Sequence, residues 1–300
     1  MIRDAHCHFF SPRFFETLGR EAGERFSQDA ATSVPAALGW EPPVSTEQLA
    51  ARWVAALDAN GVGRAVLIAS VPGDEDSVAD AVRRHPARFI GYFMINPLAD
   101  DALGRVRRAI DELGLRGVCL FPAMHRYSLL DPRVGAVIDA VARPGCAVFV
   151  HCGVLSVGAR RKLGLASRFE ARYGQPLDVQ ALAAAWPDVP FVIPHFGAGF
   201  FREALMAAAM CANIHLDTSS SNAWMAYAPG LTLADVFRYA VAAASPDRVL
   251  FGTDSSFFPR GWQRSIYETQ LEAARKANLS HDDVVRIFET NLDRLFPFSG

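Results

Sequence analysis

The chain has 300 residues, 51% of them hydrophobic, and its 30 basic and 32 acidic residues leave a formal net charge of −2. This balance, without a long run of one sign, argues against binding to nucleic acid or to a membrane surface. The longest apolar runs have the length of strands, well short of the roughly twenty residues that span a bilayer. The five cysteines form no CxxC pair, and the N-terminus shows no secretory signal. We therefore expect a soluble, cytoplasmic protein with reduced thiols.

Eight apolar runs of strand length follow one another along the chain, and each interval between them can hold a crossover helix. Most are continuous runs of Val, Ile, Leu and Phe, which is typical of parallel strands covered by helices. The runs comprise residues 2–8, 65–70, 89–96, 117–122, 146–153, 190–197, 213–219 and 249–255.

The intervals carry helix signals. Ser45 and Gln48 have capping-box spacing, and Asn60-Gly61 ends the helix that they begin. Apolar residues recur every three to four positions over 100–113, and the same pattern predicts helices over 178–186, 232–244 and 264–277.

Eight βα units predict a single α/β domain over residues 1–300, a (β/α)8 (TIM) barrel. A doubly wound open sheet is the alternative, but only a closed ring places the first strand beside the eighth. Long insertions follow strands 1 and 5, at residues 9–43 and 154–176. Barrel enzymes build their active sites at the carboxyl ends of their strands, so these insertions could be lids or walls of a site. Solvated surface extensions are the other interpretation.

Polar side chains end four of the predicted strands. His6 and His8 are two residues apart, so an extended strand presents both imidazoles on one face. His151, His195 and Asp254 end the fifth, sixth and eighth runs. One histidine pair is a weak signal, because solvated or buried pairs are common. Together, however, these residues predict a divalent metal ion bound by His6, His8, His151 and Asp254.

This pattern resembles the amidohydrolase superfamily. The pair His6-Cys7-His8 looks like its first-strand signature, and His151, His195 and Asp254 fall at its strand 5, 6 and 8 positions. The ending IFETNLDRLF, at residues 287–296, is similar to the closing helix of one branch. That amidohydrolase-related branch includes aminocarboxymuconate-semialdehyde decarboxylases. The resemblance implies that His195 is catalytic and lies beside the metal, where it could polarise a carbonyl or stabilise an oxyanion.

The sequence departs from the two-metal members of this superfamily on strand 4. Those members have a bridging lysine or glutamate, whereas Cys119 stands about where the lysine would be. We therefore predict one metal ion, with Cys119 either a buried core thiol or an unusual ligand. Zinc suits the ligand set best, and Mn²⁺, Fe²⁺ or Co²⁺ would also fit. Asp254 could take a proton from metal-activated water and pass it to the leaving group.

These observations favour a metal-dependent hydrolase that attacks an amide, a lactone or a related carbonyl of a small molecule. The main alternative is a non-oxidative decarboxylase of an unsaturated or aromatic carboxylic acid. Hydration of a conjugated acid and a non-catalytic, ligand-binding barrel are further possibilities. A substrate carboxylate would call for a cation such as Arg126, Arg160 or Arg260, although each could simply be solvated. Asp4 could orient an imidazole or cap the barrel floor, and apolar residues of segment 9–43 could form a homodimer contact.

Overall fold

The computed structural model describes residues 1–26 and 28–298. Within these residues, eight parallel strands pair in sequence order from β1 to β8. Their bounds are β1 Ile2–Phe9, β2 Val62–Ala69, β3 Phe89–Ile95, β4 Gly117–Leu120, β5 Ala147–Val150, β6 Phe191–Ile193, β7 Ile214–Asp217 and β8 Val249–Leu250.

The two ends of the sheet meet and close the barrel. Backbone N–H groups on β1 donate from Ala5 to the Phe251 carbonyl at 2.7 Å and from His8 to the Ser255 carbonyl at 2.7 Å. In the other direction, the N–H of Asp254 donates to the carbonyl of His6 at 2.9 Å. The predicted (β/α)8 barrel is confirmed, and the open sheet is excluded.

Helices cover the outside of the barrel and fill the intervals between strands. The α-helices of the described residues are α1 Pro12–Glu21, α2 Ala30–Leu38, α3 Thr46–Asp58, α4 Glu75–Arg84, α5 Ala102–Arg107, α6 Pro122–His125, α7 Pro132–Val141, α8 Gly158–Lys162, α9 Pro176–Ala185, α10 Phe201–Met210, α11 Leu233–Ala244, α12 Arg264–Lys276, α13 His281–Val285 and α14 Asn291–Leu295. The Ser45 side chain accepts a hydrogen bond from the N–H of Gln48 and so caps α3. Thr232 caps α11 in the same way, with Asp235 completing a capping box.

Several helices and strands are shorter in the structure than the sequence predicts. The helix expected over 100–113 is α5 followed by a π-helical turn, Arg108–Glu112. The run 190–197 pairs only as far as Ile193 and then forms the turn Pro194–Gly197. In the run 249–255, only Val249–Leu250 forms a strand. Beyond these points the backbone takes positive φ angles, 55° at His195 and 59° at Asp254, which a β-ladder does not accommodate.

Apolar side chains form three clusters. One fills the inside of the barrel, for example Ile68 and Phe149, and a larger one lies between strands and helices, for example Trp53 and Phe237. The third joins the segments that follow β1 and β5, and its buried members are Phe14, Phe15, Leu18, Phe26, Val34, Leu38, Val71, Ala159 and Leu163. The two long segments therefore pack together above the strand ends. None of the helices in the described residues is long and apolar enough to cross a membrane.

Candidate active site

One cavity of about 1200 Å³ opens at the carboxyl ends of the strands. All five side chains that the sequence analysis singled out contribute to its lining, namely His6, His8, His151, His195 and Asp254. The segments after β1 and β5 form its outer walls through residues such as Phe14 and Leu165. Barrel closure therefore gathers the polar strand ends around one space.

Three of these side chains converge most closely. The Nε2 atoms of His6 and His8 lie 3.3 Å apart. The Oδ1 atom of Asp254 is 3.1 Å from Nε2 of His8 and 3.8 Å from Nε2 of His6. These three ligand atoms lie within 4.8 Å of one another, a spacing that one metal ion can bridge.

Hydrogen bonds on the far side of each ring decide which nitrogen faces the centre. Nδ1 of His6 lies 2.8 Å from the Asp217 carboxylate, which can only accept. Nδ1 of His8 lies 2.7 Å from the Ser70 hydroxyl, which itself donates to the Ile68 carbonyl at 3.0 Å. In the neutral imidazoles both Nδ1 atoms therefore carry the proton, and the two Nε2 lone pairs face each other. A cation between the rings would satisfy both lone pairs, so the donor set fits a divalent metal.

The charges around the centre also favour a cation. Burial lowers the pKa of His6, but the charge and hydrogen bond of Asp217 outweigh it and raise that pKa above its usual value. Burial opposes ionisation of Asp254 as well. A protonated His8, through its hydrogen bond and its charge, together with the charge of His6, overcomes it and holds the Asp254 pKa below its usual range. The carboxylate is therefore ionised at neutral pH.

His151 lies at the edge of this group. It is outside the set of three ligand atoms, and its ring centroid is 5.2 Å from that of His195. Burial lowers the pKa of His151 well below its usual value, so the imidazole is neutral. Its Nδ1 atom is buried and has no hydrogen-bond partner among the described residues. A neutral imidazole with an unsatisfied nitrogen is suited to ligation.

His195 is anchored on the neighbouring strand end. Its Nδ1 atom lies 3.2 Å from the carbonyl oxygen and 2.9 Å from the hydroxyl of Ser219. The carbonyl can only accept, so Nδ1 carries the proton and Nε2 is the nitrogen left for another partner. Burial lowers the pKa of His195. Its ring centroid is 5.1 Å from that of His6, so the side chain is adjacent to the converging group.

Asp4 does not orient an imidazole, which was one of its two expected roles. Its carboxylate accepts from the backbone N–H of His6 at 2.9 Å, not from an imidazole. It also accepts from the Thr253 hydroxyl at 2.6 Å and from the Trp262 indole at 2.7 Å. Asp4 thus ties β1 to the chain that follows β8. Cys119 is fully buried in the barrel interior, where burial raises its pKa well above the usual value and keeps it a thiol.

Residues that sequence reasoning missed support the imidazoles of His6, His8 and His195. Asp217 is the last residue of β7 and Ser219 lies two residues further on, whereas Ser70 follows β2. The sequence does contain a signal for Asp217 and Ser219. It is the polar run Asp217-Thr218-Ser219-Ser220, which lies at the end of a strand, as the histidines do on the other strands.

The three candidate arginines differ in their partners. Arg126 pairs with Glu170, and Arg160 pairs with Glu21. Arg260, at the cavity mouth, donates to the Ser256 hydroxyl at 2.7 Å and has no carboxylate partner among the described residues. Burial lowers the pKa of Arg260, against the opposing charge of Asp254. Arg260 is therefore the cation of the three that is available to an anionic ligand.

A closed eight-stranded barrel whose strand ends gather imidazoles and a carboxylate in one cavity defines a class, the (β/α)8 barrels with a site suited to a divalent metal. The chain belongs to the amidohydrolase family, because the sequence model of that family matches residues 3–298. The resemblance inferred from the histidine and aspartate motifs is confirmed. The protein is thus an enzyme of the amidohydrolase superfamily, whose members use divalent metals.

Similar proteins catalyse two kinds of reaction. A curated relative, 2-amino-3-carboxymuconate-6-semialdehyde decarboxylase of Dictyostelium discoideum, is 32% identical over 78 residues, which are 25% of this chain and 21% of the relative. The chain thus matches about a fifth of that relative's length. A 5-carboxyvanillate decarboxylase of Novosphingobium aromaticivorans, solved with manganese and 3-methoxy-4-hydroxy-5-nitrobenzoic acid, superposes with a TM-score of 0.67 at 15% identity, covering 99% of this chain and 97% of that one. A probable 2-pyrone-4,6-dicarboxylic acid hydrolase of Acinetobacter baumannii gives a TM-score of 0.63 at 14% identity, covering 99% of both chains. At these identities the solved structures show the fold alone.

Proposed function

We propose that this protein is a metal-dependent, non-oxidative decarboxylase of a planar unsaturated or aromatic carboxylic acid that carries a second anionic group. The observation that carries the proposal is Arg260, a cation at the mouth of the cavity without a carboxylate partner among the described residues. Aromatic rings line the cavity walls, among them Phe121 and Phe169. A flat acid suits such a wall.

The ligand residues in this proposal are His6, His8, His151 and Asp254, and they would hold one ion. When bound, the ion supplies a positive charge that polarises substrate oxygens and stabilises negative charge developing on them. The sequence gives no bridging residue for a second ion, and Cys119 is a buried thiol away from the three converging ligand atoms. Zinc and manganese both fit three imidazoles and one carboxylate.

The chemistry left to the side chains is proton transfer. The bond between carbon and carboxylate breaks, its electron pair stays on the carbon, a proton replaces it, and carbon dioxide leaves. Water supplies that proton, and His195 is suited to relay it to the carbon, because Ser219 holds the proton of Nδ1 and leaves the Nε2 lone pair to take up another and pass it on. Asp254 is the second acid–base group, since it lines the cavity and is partly accessible.

Arg260 is better suited to a group that stays than to the departing carboxylate. A cation paired with the departing carboxylate would stabilise the substrate more than the transition state, because that group loses its charge as carbon dioxide forms. We therefore assign Arg260 to a second carboxylate or a phenolate. All the relatives described above act on acids by name, which agrees with an anion-binding cavity.

The test is a screen of aromatic and muconate-type diacids with manganese- or zinc-loaded protein in deuterium oxide. A decarboxylase should release carbon dioxide and place one deuterium on the carbon that lost the carboxylate. Arg260→Gln should raise KM by about tenfold or more, since a charge-assisted contact is removed. The matched control is Arg126→Gln, because Arg126 lines the same cavity but is already paired with Glu170.

The second candidate is hydrolysis of a lactone or amide bearing a carboxylate, which the fold shared with the pyrone-dicarboxylic acid hydrolase favours. In that reaction Asp254 would take a proton from the attacking water and pass it to the leaving group. Ring opening with gain of one water and no release of carbon dioxide would establish hydrolysis and overturn the decarboxylase proposal.

A further inference from the structure

A column of stacked aromatic rings runs along one wall of the cavity and ends at Arg260. Phe14 stacks on Phe10, with centroids 3.9 Å apart and planes 1° from parallel. Phe10 stacks on Trp40 at 5.8 Å and 15°, and Trp40 stacks on Phe257 at 4.0 Å and 8°. The guanidinium of Arg260 lies 4.3 Å from the centroid of Phe257. We call Phe10, Phe14, Trp40 and Phe257 the aromatic column.

The column joins two parts of the chain that are distant in sequence. Three of its rings belong to the segment between β1 and α3, whereas Phe257 and Arg260 follow β8. Beside the column, the backbone N–H of Glu41 donates to the carbonyl of Phe258 at 2.9 Å. The segment after β1 is therefore fastened to the loop that carries Arg260.

Trp40 and Arg260 both pack against the Phe257 ring. The Trp40 centroid lies 4.0 Å from the Phe257 centroid, and the guanidinium carbon of Arg260 lies 4.3 Å from it. Besides this ring, Arg260 is held only by its hydrogen bond to Ser256 within the described residues. A long arginine side chain with one hydrogen bond has many rotamers, so the position of its charge depends on the Phe257 ring. That ring is in turn backed by Trp40.

We propose that Trp40 is a positioning residue that acts through Phe257 to fix the guanidinium of Arg260. The segment after β1 thereby takes part in substrate selection, because it decides where the anionic group of the substrate can bind. This inference rests on the anion-binding role of Arg260 in the proposed function. It predicts that Trp40 and Arg260 are energetically coupled through the Phe257 ring.

The experiment is a double-mutant cycle with Trp40→Leu and Arg260→Gln. Its readout is the Kd of 3-methoxy-4-hydroxy-5-nitrobenzoic acid for manganese-loaded protein, measured by calorimetry, so no turnover is needed. Trp40→Leu should weaken binding by about tenfold with Arg260 present and by less than about twofold in the Arg260→Gln background. Trp40→Phe keeps a stacking ring and should stay within about threefold of the wild type. Trp186→Leu is the control, because Trp186 does not line the cavity.

An equal loss of affinity in both backgrounds would overturn the inference, because Trp40 would then act on the ligand or on the fold. Metal content and thermal unfolding of each variant identify a misfolded protein. If Trp40→Leu does not fold, the same cycle with Phe257→Leu tests the coupling one ring nearer to Arg260. A wild-type protein that binds no aromatic carboxylate would also overturn the inference. If the double-mutant cycle shows coupling but no acid in the substrate screen releases carbon dioxide, the inference stands and the decarboxylase proposal is rejected.

Discussion

Substitution of Asp217 tests the metal centre without a known substrate. Its carboxylate is fully buried, and both oxygens accept hydrogen bonds: Oδ2 from Nδ1 of His6 at 2.8 Å, and Oδ1 from the N–H of Ser219 at 2.6 Å. Asp217→Asn replaces one acceptor with an NH₂ group that must face an N–H donor. If it faces His6, Nδ1 has to accept and the proton moves to Nε2, the nitrogen needed for the metal. If it faces Ser219, a buried N–H loses its partner.

The expected loss of metal affinity follows from these two outcomes. Loss of a carboxylate that orients a metal-binding histidine weakens metal affinity by about 10- to 100-fold. That change corresponds to about 1.4–2.7 kcal/mol. The assay is competition with a chromophoric chelator, which gives the Kd for zinc and for manganese. Asp188→Asn serves as the control, since Asp188 is exposed and does not line the cavity.

One result would refute this reasoning. A folded Asp217→Asn protein that binds zinc and manganese as tightly as the wild type would show that His6 does not present Nε2 to the ion. Thermal unfolding of the metal-free proteins separates this outcome from a general loss of structure. If Asp217→Asn is destabilised equally with and without metal, Asp217 stabilises the fold and does not act on the metal centre.

Two further predictions concern other histidines. His195→Ala should keep near-stoichiometric metal and lose turnover; loss of the ion, measured by elemental analysis, would make His195 a ligand. His215, on β7, is partly buried, its Nδ1 atom is buried without a partner in the described part of the chain, and burial lowers its pKa from 6.5 to about 4. Its neutral form stabilises the fold fully above pH 6.5, and this contribution, about 3 kcal/mol, is lost as the pH falls towards 4. Urea unfolding between pH 4.5 and 7.5 should show a smaller pH dependence for His215→Leu than for the wild type, and equal slopes would contradict the assignment.

The sequence predicted the barrel because its strands are continuous apolar runs with helix signals between them. It also placed His6, His8 and Asp254 correctly with respect to one another, since two-residue spacing and ring closure are simple geometry. It could not predict where each strand stops pairing. At His195 and Asp254 the chain leaves the ladder with positive φ, a conformation that depends on contacts across the barrel mouth and not on local residue preference.

Supporting contacts were harder to foresee than the convergence of His6, His8 and Asp254. Asp217 and Ser219 lie more than 200 positions from His6, so no spacing rule connects them to it. Whether Arg126, Arg160 or Arg260 is available also depends on which acidic residue folding brings nearby. The stacking of Trp40 on Phe257 joins segments at opposite ends of the chain, and stacking partners of this kind cannot be assigned from one sequence.

The same backbone contacts that close the barrel also assemble the centre. The N–H of Asp254 donates to the carbonyl of His6, so the residues that carry two converging ligand atoms are hydrogen-bonded to each other. Asp4 also links β1 to the chain after β8, because its carboxylate accepts hydrogen bonds from the N–H groups of both His6 and Thr253. An unfolded chain has no such arrangement, because its two ends are far apart. A metal ion held by all of these residues would therefore bind the closed barrel more tightly than the unfolded chain, and this difference in affinity would add to the stability of the closed state. Asp4 and Asp217 therefore act in different ways. Asp4 links the chain segments that carry His6 and Asp254, whereas Asp217 keeps the proton of His6 on Nδ1.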